Sequence, residues 1–215
     1  MMGIVVKKSW RLQDSEHFCL ALSLNRSPEE VIEIYGADAG RARWLLAKDT
    51  PLAPHLGSSL RTGELGKWSF CIEFENFIGS EDKIMRDLSA QTESIVIFRT
   101  AKALTAFHYA VNGQIVEWFE PGYLSSLRGQ SSYEFAHKVH ALTAANVDPV
   151  AACLQVIAGR IGHELTTEIL HGPLLTAVID EPDLAALRHP DPPLLYPEVP
   201  QENSRRRGRR LGRRL

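Results

Sequence analysis

Lys67-Trp68-Ser69-Phe70-Cys71-Ile72-Glu73-Phe74-Glu75 puts a large apolar side chain at every second position, and the stretch 61–121 around it decides the fold. Trp68, Phe70, Ile72 and Phe74 alternate with Ser69, Glu73 and Glu75, the period-two pattern of a strand with one buried face and one wet or functional face. Gly79-Ser80 stops that strand. Ser80 is the expected N-cap of a helix with Glu81 and Asp82 in its first turn, where negative charge suits the helix dipole, and Ile84, Met85 and Leu88 form its apolar stripe. Ser94-Ile95-Val96-Ile97-Phe98 follows without alternation, which marks a strand covered on both faces.

Two further runs, 104–111 and 114–120, flank Asn112-Gly113, a dipeptide that tolerates the positive φ angles of a type I′ hairpin turn. A regular two-residue hairpin places Val111 opposite Gln114, Phe107 opposite Trp118, and His108 opposite Glu117. The last pair is expected to sit within hydrogen-bonding reach. Its plain reading is a polar pair that strengthens the sheet; its functional reading is an oriented imidazole at a small-ligand or catalytic site.

Outward from this segment, 18–24 reads as a first strand. Ser27-Pro28-Glu29-Glu30 forms a capping box with proline in the first helical turn, and Gly36 is placed to end that helix. The pattern is weak over 37–66, which reads as loop with a helical turn at 43–47 and a strand near Leu60. The stretch 122–130 reads as loop. Helices are expected over 132–145 and, from the cap-then-proline pair Asp148-Pro149, through Ile161. The apolar run 174–179 follows Gly172-Pro173.

The fold class expected is α+β: a mainly antiparallel sheet containing the Asn-Gly hairpin, with helices packed on one face. One domain is expected over 1–180. In 181–215, six of the twelve prolines fall between 182 and 200 and an arginine cluster follows, a composition that predicts a disordered tail.

Of 215 residues, 44% are hydrophobic and 23% charged, ordinary for a soluble globular chain. The net charge of −2 conceals an asymmetry: setting aside the seven arginines of 205–215 leaves 17 basic against 26 acidic residues, a net of −9. Cys19, Cys71 and Cys153 lie far apart in apolar settings, so reduced thiols and a cytoplasmic location are expected. No run is long enough to span a bilayer and no leader peptide is visible.

The order Trp10, Ser27-Pro28-Glu29-Glu30, Gly66-Lys67-Trp68 with Glu73 on the following strand, Leu88-Ser89-Ala90, the aromatic hairpin from Phe107-His108-Tyr109-Ala110 to Phe119-Glu120-Pro121, and Gly172-Pro173-Leu174-Leu175 resembles an uncharacterised actinobacterial family, domain-of-unknown-function family 6461. The likeness spans about 10–179. It implies one whole domain and supplies no activity, cofactor or catalytic residue.

Chemical signatures are sparse. His137 and His140 are three apart on a helix but lack a third ligand at diagnostic spacing, so no metal or other cofactor is expected. There is no nucleophile elbow and no phosphate-binding loop. The candidates for ligand or partner contact are Arg61, Trp68, Glu73, Glu75, His108 and Glu117. Glu73 and Glu75 form a carboxylate pair near Arg61, read either as a solvated ion-paired face or as an acid–base pair. The tail arginines Arg205, Arg206, Arg207, Arg209, Arg210, Arg213 and Arg214 are candidates for weak, sequence-independent contact with nucleic acid or another anionic surface. The expected function is a non-enzymatic protein-binding module of regulatory or immunity type, with another protein as partner. The alternatives are an enzyme or small-ligand binder using Glu73, His108 and Glu117, and nucleic-acid contact through the tail.

Overall fold

A computed structural model of the chain describes residue 12 and residues 15–50, 57–74, 76–102, 104–129 and 132–180. The arginine cluster, the rest of 181–215 and Glu75 lie outside the described residues.

Fourteen regular elements follow in order: β1 (Phe18–Leu24), α1 (Pro28–Ile34), β2 (Arg43–Leu45), β3 (Gly57–Leu65), β4 (Trp68–Glu73), α2 (Asp82–Leu88), β5 (Glu93–Arg99), β6 (Thr105–Val111), β7 (Gln114–Glu120), β8 (Tyr123–Gly129), α3 (Glu134–Ala144), α4 (Pro149–Ile161), α5 (Thr167–His171) and β9 (Leu174–Asp180). The strands form one antiparallel sheet in the order β2-β9-β3-β4-β1-β5-β6-β7-β8. The α+β class and the antiparallel sheet are as expected.

To the helical layer expected on one face the structure adds a second on the other. Phe18, Leu20 and Leu22 of β1, with Phe70 and Ile72 of β4, pack under α3 and α4 through Phe135, Val139, Leu154 and Ile157. The alternate residues Cys19, Ala21 and Cys71 pack under α1 and α2 through Val31, Ile32, Ile84 and Met85. With both faces covered, β1 and β4 are buried along their lengths, and the supposed wet face of β4, Ser69 and Glu73, is buried too.

Local signals position most boundaries. The Ser27 hydroxyl accepts from Glu30 N while Ser27 N donates to the Glu30 carboxylate, closing the capping box. Asp148 accepts from Val150 N and Ala151 N, with Pro149 next to it. Asn112 and Gly113 take φ of 51° and 76°, the type I′ turn. Two expectations are corrected. Ser80 is not the cap of α2: it ends a 3-10 turn, Ile78–Ser80, and Glu81 stands at the N-cap without a side-chain capping hydrogen bond. Residues 43–45 and 123–129, read as helical turn and loop, are the two outermost strands: the first is held by pairing with β9 far along the chain, the second by a hairpin with β7 whose irregular register hides the strand pattern.

Both outer strands are blunted. β2 has three residues. The β7–β8 pairing jumps from Trp118↔Arg128 to Glu120↔Tyr123, so 124–127 of β8 bulge against a single β7 residue. The Ser126 hydroxyl fills the gap by accepting from Glu120 N, and the Arg128 guanidinium donates to the carbonyls of Ser125 and Leu127.

Candidate functional site

The hairpin register differs from the regular one, and the difference separates His108 from Glu117. Ala110 pairs Ile115 but Tyr109 pairs Glu117, so Val116 is an extra residue, and beyond it every β7 side chain changes face. His108 is opposite Trp118, and Phe107 is opposite Phe119, with their rings stacked at 4.9 Å. Gly129 of β8 comes so close to the bulge that a Cβ there would stand 2.3 Å from the Val116 carbonyl oxygen.

The bulge turns Glu117 toward α3. Its carboxylate accepts from Ala136 N at 2.5 Å and Phe135 N at 3.4 Å. Tyr133, the N-cap of α3, is left-handed with φ 57° and supplies no side-chain cap, so a strand residue caps the helix from outside. His108 faces the other way. Its Nδ1 lies 2.8 Å from Met85 Sδ on α2, its ring contacts Phe98 edge-on and leans on Trp118, and burial pushes its pKa down to about 3.

Glu73 is fully buried. Its two carboxyl oxygens accept from Ile78 N at 3.1 Å and Gly79 N at 2.9 Å, so it satisfies the donors of the 3-10 turn. Cys19, its cross-strand partner, is within hydrogen-bonding reach, and Tyr35 and Cys71 lie alongside. Burial pushes the Glu73 carboxyl up to about 8, with the two backbone donors opposing the shift. The thiols of Cys19, Cys71 and Cys153 are pushed up as well, by burial first, which leaves them in their inert form.

Arg61 pairs Ile72 across the strands and so points to the face opposite Glu73. Its guanidinium donates to the carbonyls of Leu170, Gly172 and Leu45, clamping the C-terminal end of α5 and the end of β2 to the sheet. Burial draws its pKa down. Trp68 belongs to the core beneath α3 and α4. Thus Glu73 and His108 share a face but stand three strands apart, roughly 14 Å at ordinary strand spacing, while Arg61, Trp68 and Glu117 occupy the other face. They do not converge. Among the described residues, no group of three or more His, Cys, Asp or Glu side chains is arranged to hold a metal ion.

What the structure does bring together is a groove at one end of the sheet. It is about 470 Å³ in volume, framed by the β5–β6 turn, the β7–β8 turn and the start of α4, and Arg99, Lys102, Leu104, Glu120, Tyr123 and Asp148 are among its lining residues. Thr100 N bonds to the Leu104 carbonyl and shapes the first turn. Leu104 is 47% exposed and Tyr123 66% exposed. Neither was a sequence candidate, because adjacency of two turns 19 residues apart depends on the sheet order. The signal available was the pair Tyr123-Leu124 next to Pro121-Gly122, apolar side chains at a turn with no helical or strand stripe to bury them.

The architecture is that of an α+β protein with a nine-stranded antiparallel sheet covered on both faces. The chain belongs to a family of unknown function (DUF6461), whose model matches residues 6–145. No curated protein and no solved structure matches it. None of the helices among the described residues is long and apolar enough to cross a membrane.

Proposed function

We propose that the chain is a non-enzymatic protein-binding module, of regulatory or immunity type, that takes its partner at the groove between Leu104 and Tyr123. The observation that carries this reading is the exposure of those two large side chains over a groove with cations and acids on its walls, the mix of tyrosine, arginine and apolar contacts that protein interfaces favour. The blunted outer strands argue for recognition by side chains rather than by strand addition. The enzymatic alternative is weakened because Glu73, Glu117 and His108 are buried, and each carboxylate is engaged by backbone donors. Three buried thiols support a cytoplasmic location. The reading takes 1–180 as one unit and leaves the arginines of 205–214 to a separate, weak anionic contact.

The test is a photo-crosslinking amino acid at Tyr123, with a second at exposed Lys67 as control, in the full chain expressed in its native cells. A defined protein adduct at Tyr123 that Leu104→Glu removes is the expected result. Identical adducts at both positions, or a small molecule retained in native mass spectrometry and lost in Leu104→Glu, would overturn it.

A further inference from the structure

Among the described residues, the Glu73 carboxyl has no counter-cation beside it. The groups that face it are Cys19 from β1, Cys71 from its own strand, Tyr35 at the end of α1 and Glu81 just past the 3-10 turn, none of them basic. A carboxylate here is held by the two N–H groups of Ile78 and Gly79 and by the Cys19 thiol, all neutral donors, whereas the neutral acid escapes the desolvation penalty of a buried charge. The turn has no slack. A Cβ on Gly79 would stand 2.3 Å from Tyr35 Oη and 3.2 Å from both Cys19 Sγ and Glu73 Oε1. The state of one acid is therefore tied directly to the seating of one turn, and beneath that turn lies the Cys19 thiol, fully buried while it is closed.

We propose that the Ile78–Ser80 turn is a proton-dependent latch, seated while Glu73 holds its proton and released when that proton passes to solvent water and the carboxylate moves out to be hydrated. Release uncovers Cys19, so the latch makes access to that thiol a function of pH.

The sign follows from linkage. The seated form has its carboxyl pushed up to about 8, and the released form returns to the ordinary value of 4.5. Below 4.5 both forms are protonated and seating is at its strongest. As pH rises toward 8, the released form gains in proportion to the proton it has lost, and above 8 both are ionised and the effect levels off.

Hydrogen exchange followed by NMR tests this on the full chain. After correction for intrinsic exchange, the opening equilibrium at the Ile78 and Gly79 amides should rise about tenfold per pH unit between about pH 5 and 8 and then flatten. Glu73→Gln should abolish the slope. A flat wild-type profile, or the same slope in Glu73→Gln, would overturn the proposal. If that variant does not fold, the wild-type carboxyl carbon of Glu73 decides: a midpoint near pH 8 supports the latch and one below about 5 sinks it.

Discussion

The carboxylate of Glu117, on β7, accepts the backbone N–H of Ala136 in the first turn of α3, so a helix that has no cap of its own is capped from the sheet. Arg61 does the reverse for α5, offering donors to the carbonyls at its C-terminal end, and Glu73 serves the turn Ile78–Ser80. These three candidates for chemistry thus satisfy backbone groups of elements outside their own strands.

Glu117→Ala should destabilise the protein by roughly 2–4 kcal/mol, because it removes a cap and leaves two buried donors without this acceptor. Urea denaturation measures it. Glu117→Gln, which keeps one acceptor oxygen, should recover part of the loss. Equal loss in both variants would mean that the charge rather than the hydrogen-bonding geometry matters.

Arg61→Lys should cost about 1–3 kcal/mol despite preserving the charge, since one ammonium cannot reproduce a fork reaching Leu170, Gly172 and Leu45. Amide exchange should rise first in 167–172 and 43–45. Uniform exchange across the sheet would show that the clamp is not local.

Stability should respond to His108 in the acid range. Its pKa falls from an ordinary 6.5 to about 3 in the fold, so the unfolded chain binds the proton first. Its contribution is complete above pH 6.5 and is lost as pH falls toward 3, at up to roughly 1.4 kcal/mol per pH unit. The urea midpoint of wild type should therefore fall relative to that of His108→Leu on acidification. Parallel curves would remove the effect.

Gly79→Ala should destabilise by about 1–3 kcal/mol, as its methyl group meets Tyr35 Oη. Tyr35→Phe removes that oxygen, so the double variant should be more stable than the sum of the two single changes predicts. Strict additivity would place the strain elsewhere.

What was legible in the sequence was local. The Ser27 capping box, the Asp148-Pro149 helix start, the Asn112-Gly113 turn and the double-sided burial of 94–98 each depend on a few neighbouring residues, and each stands in the structure. The candidate site was misplaced by one residue: Val116 enters the hairpin as a bulge, and a period-two argument carried past it assigns His108 and Glu117 to one face when they belong to opposite faces. Glu73 and Arg61 were read as neighbours from sequence proximity, but the cross-strand register sets them back to back. The groove at Leu104 and Tyr123 went unseen because it exists only where two turns and a helix start meet.

β9 lies between β2 and β3, separating two strands that precede it by more than a hundred residues. During vectorial synthesis the slot it fills stays vacant until nearly all of the described chain has left the ribosome, so this side of the sheet is completed last. A product ending at residue 145, where the family match ends, would display the unpaired rim of β3 as a template for aggregation.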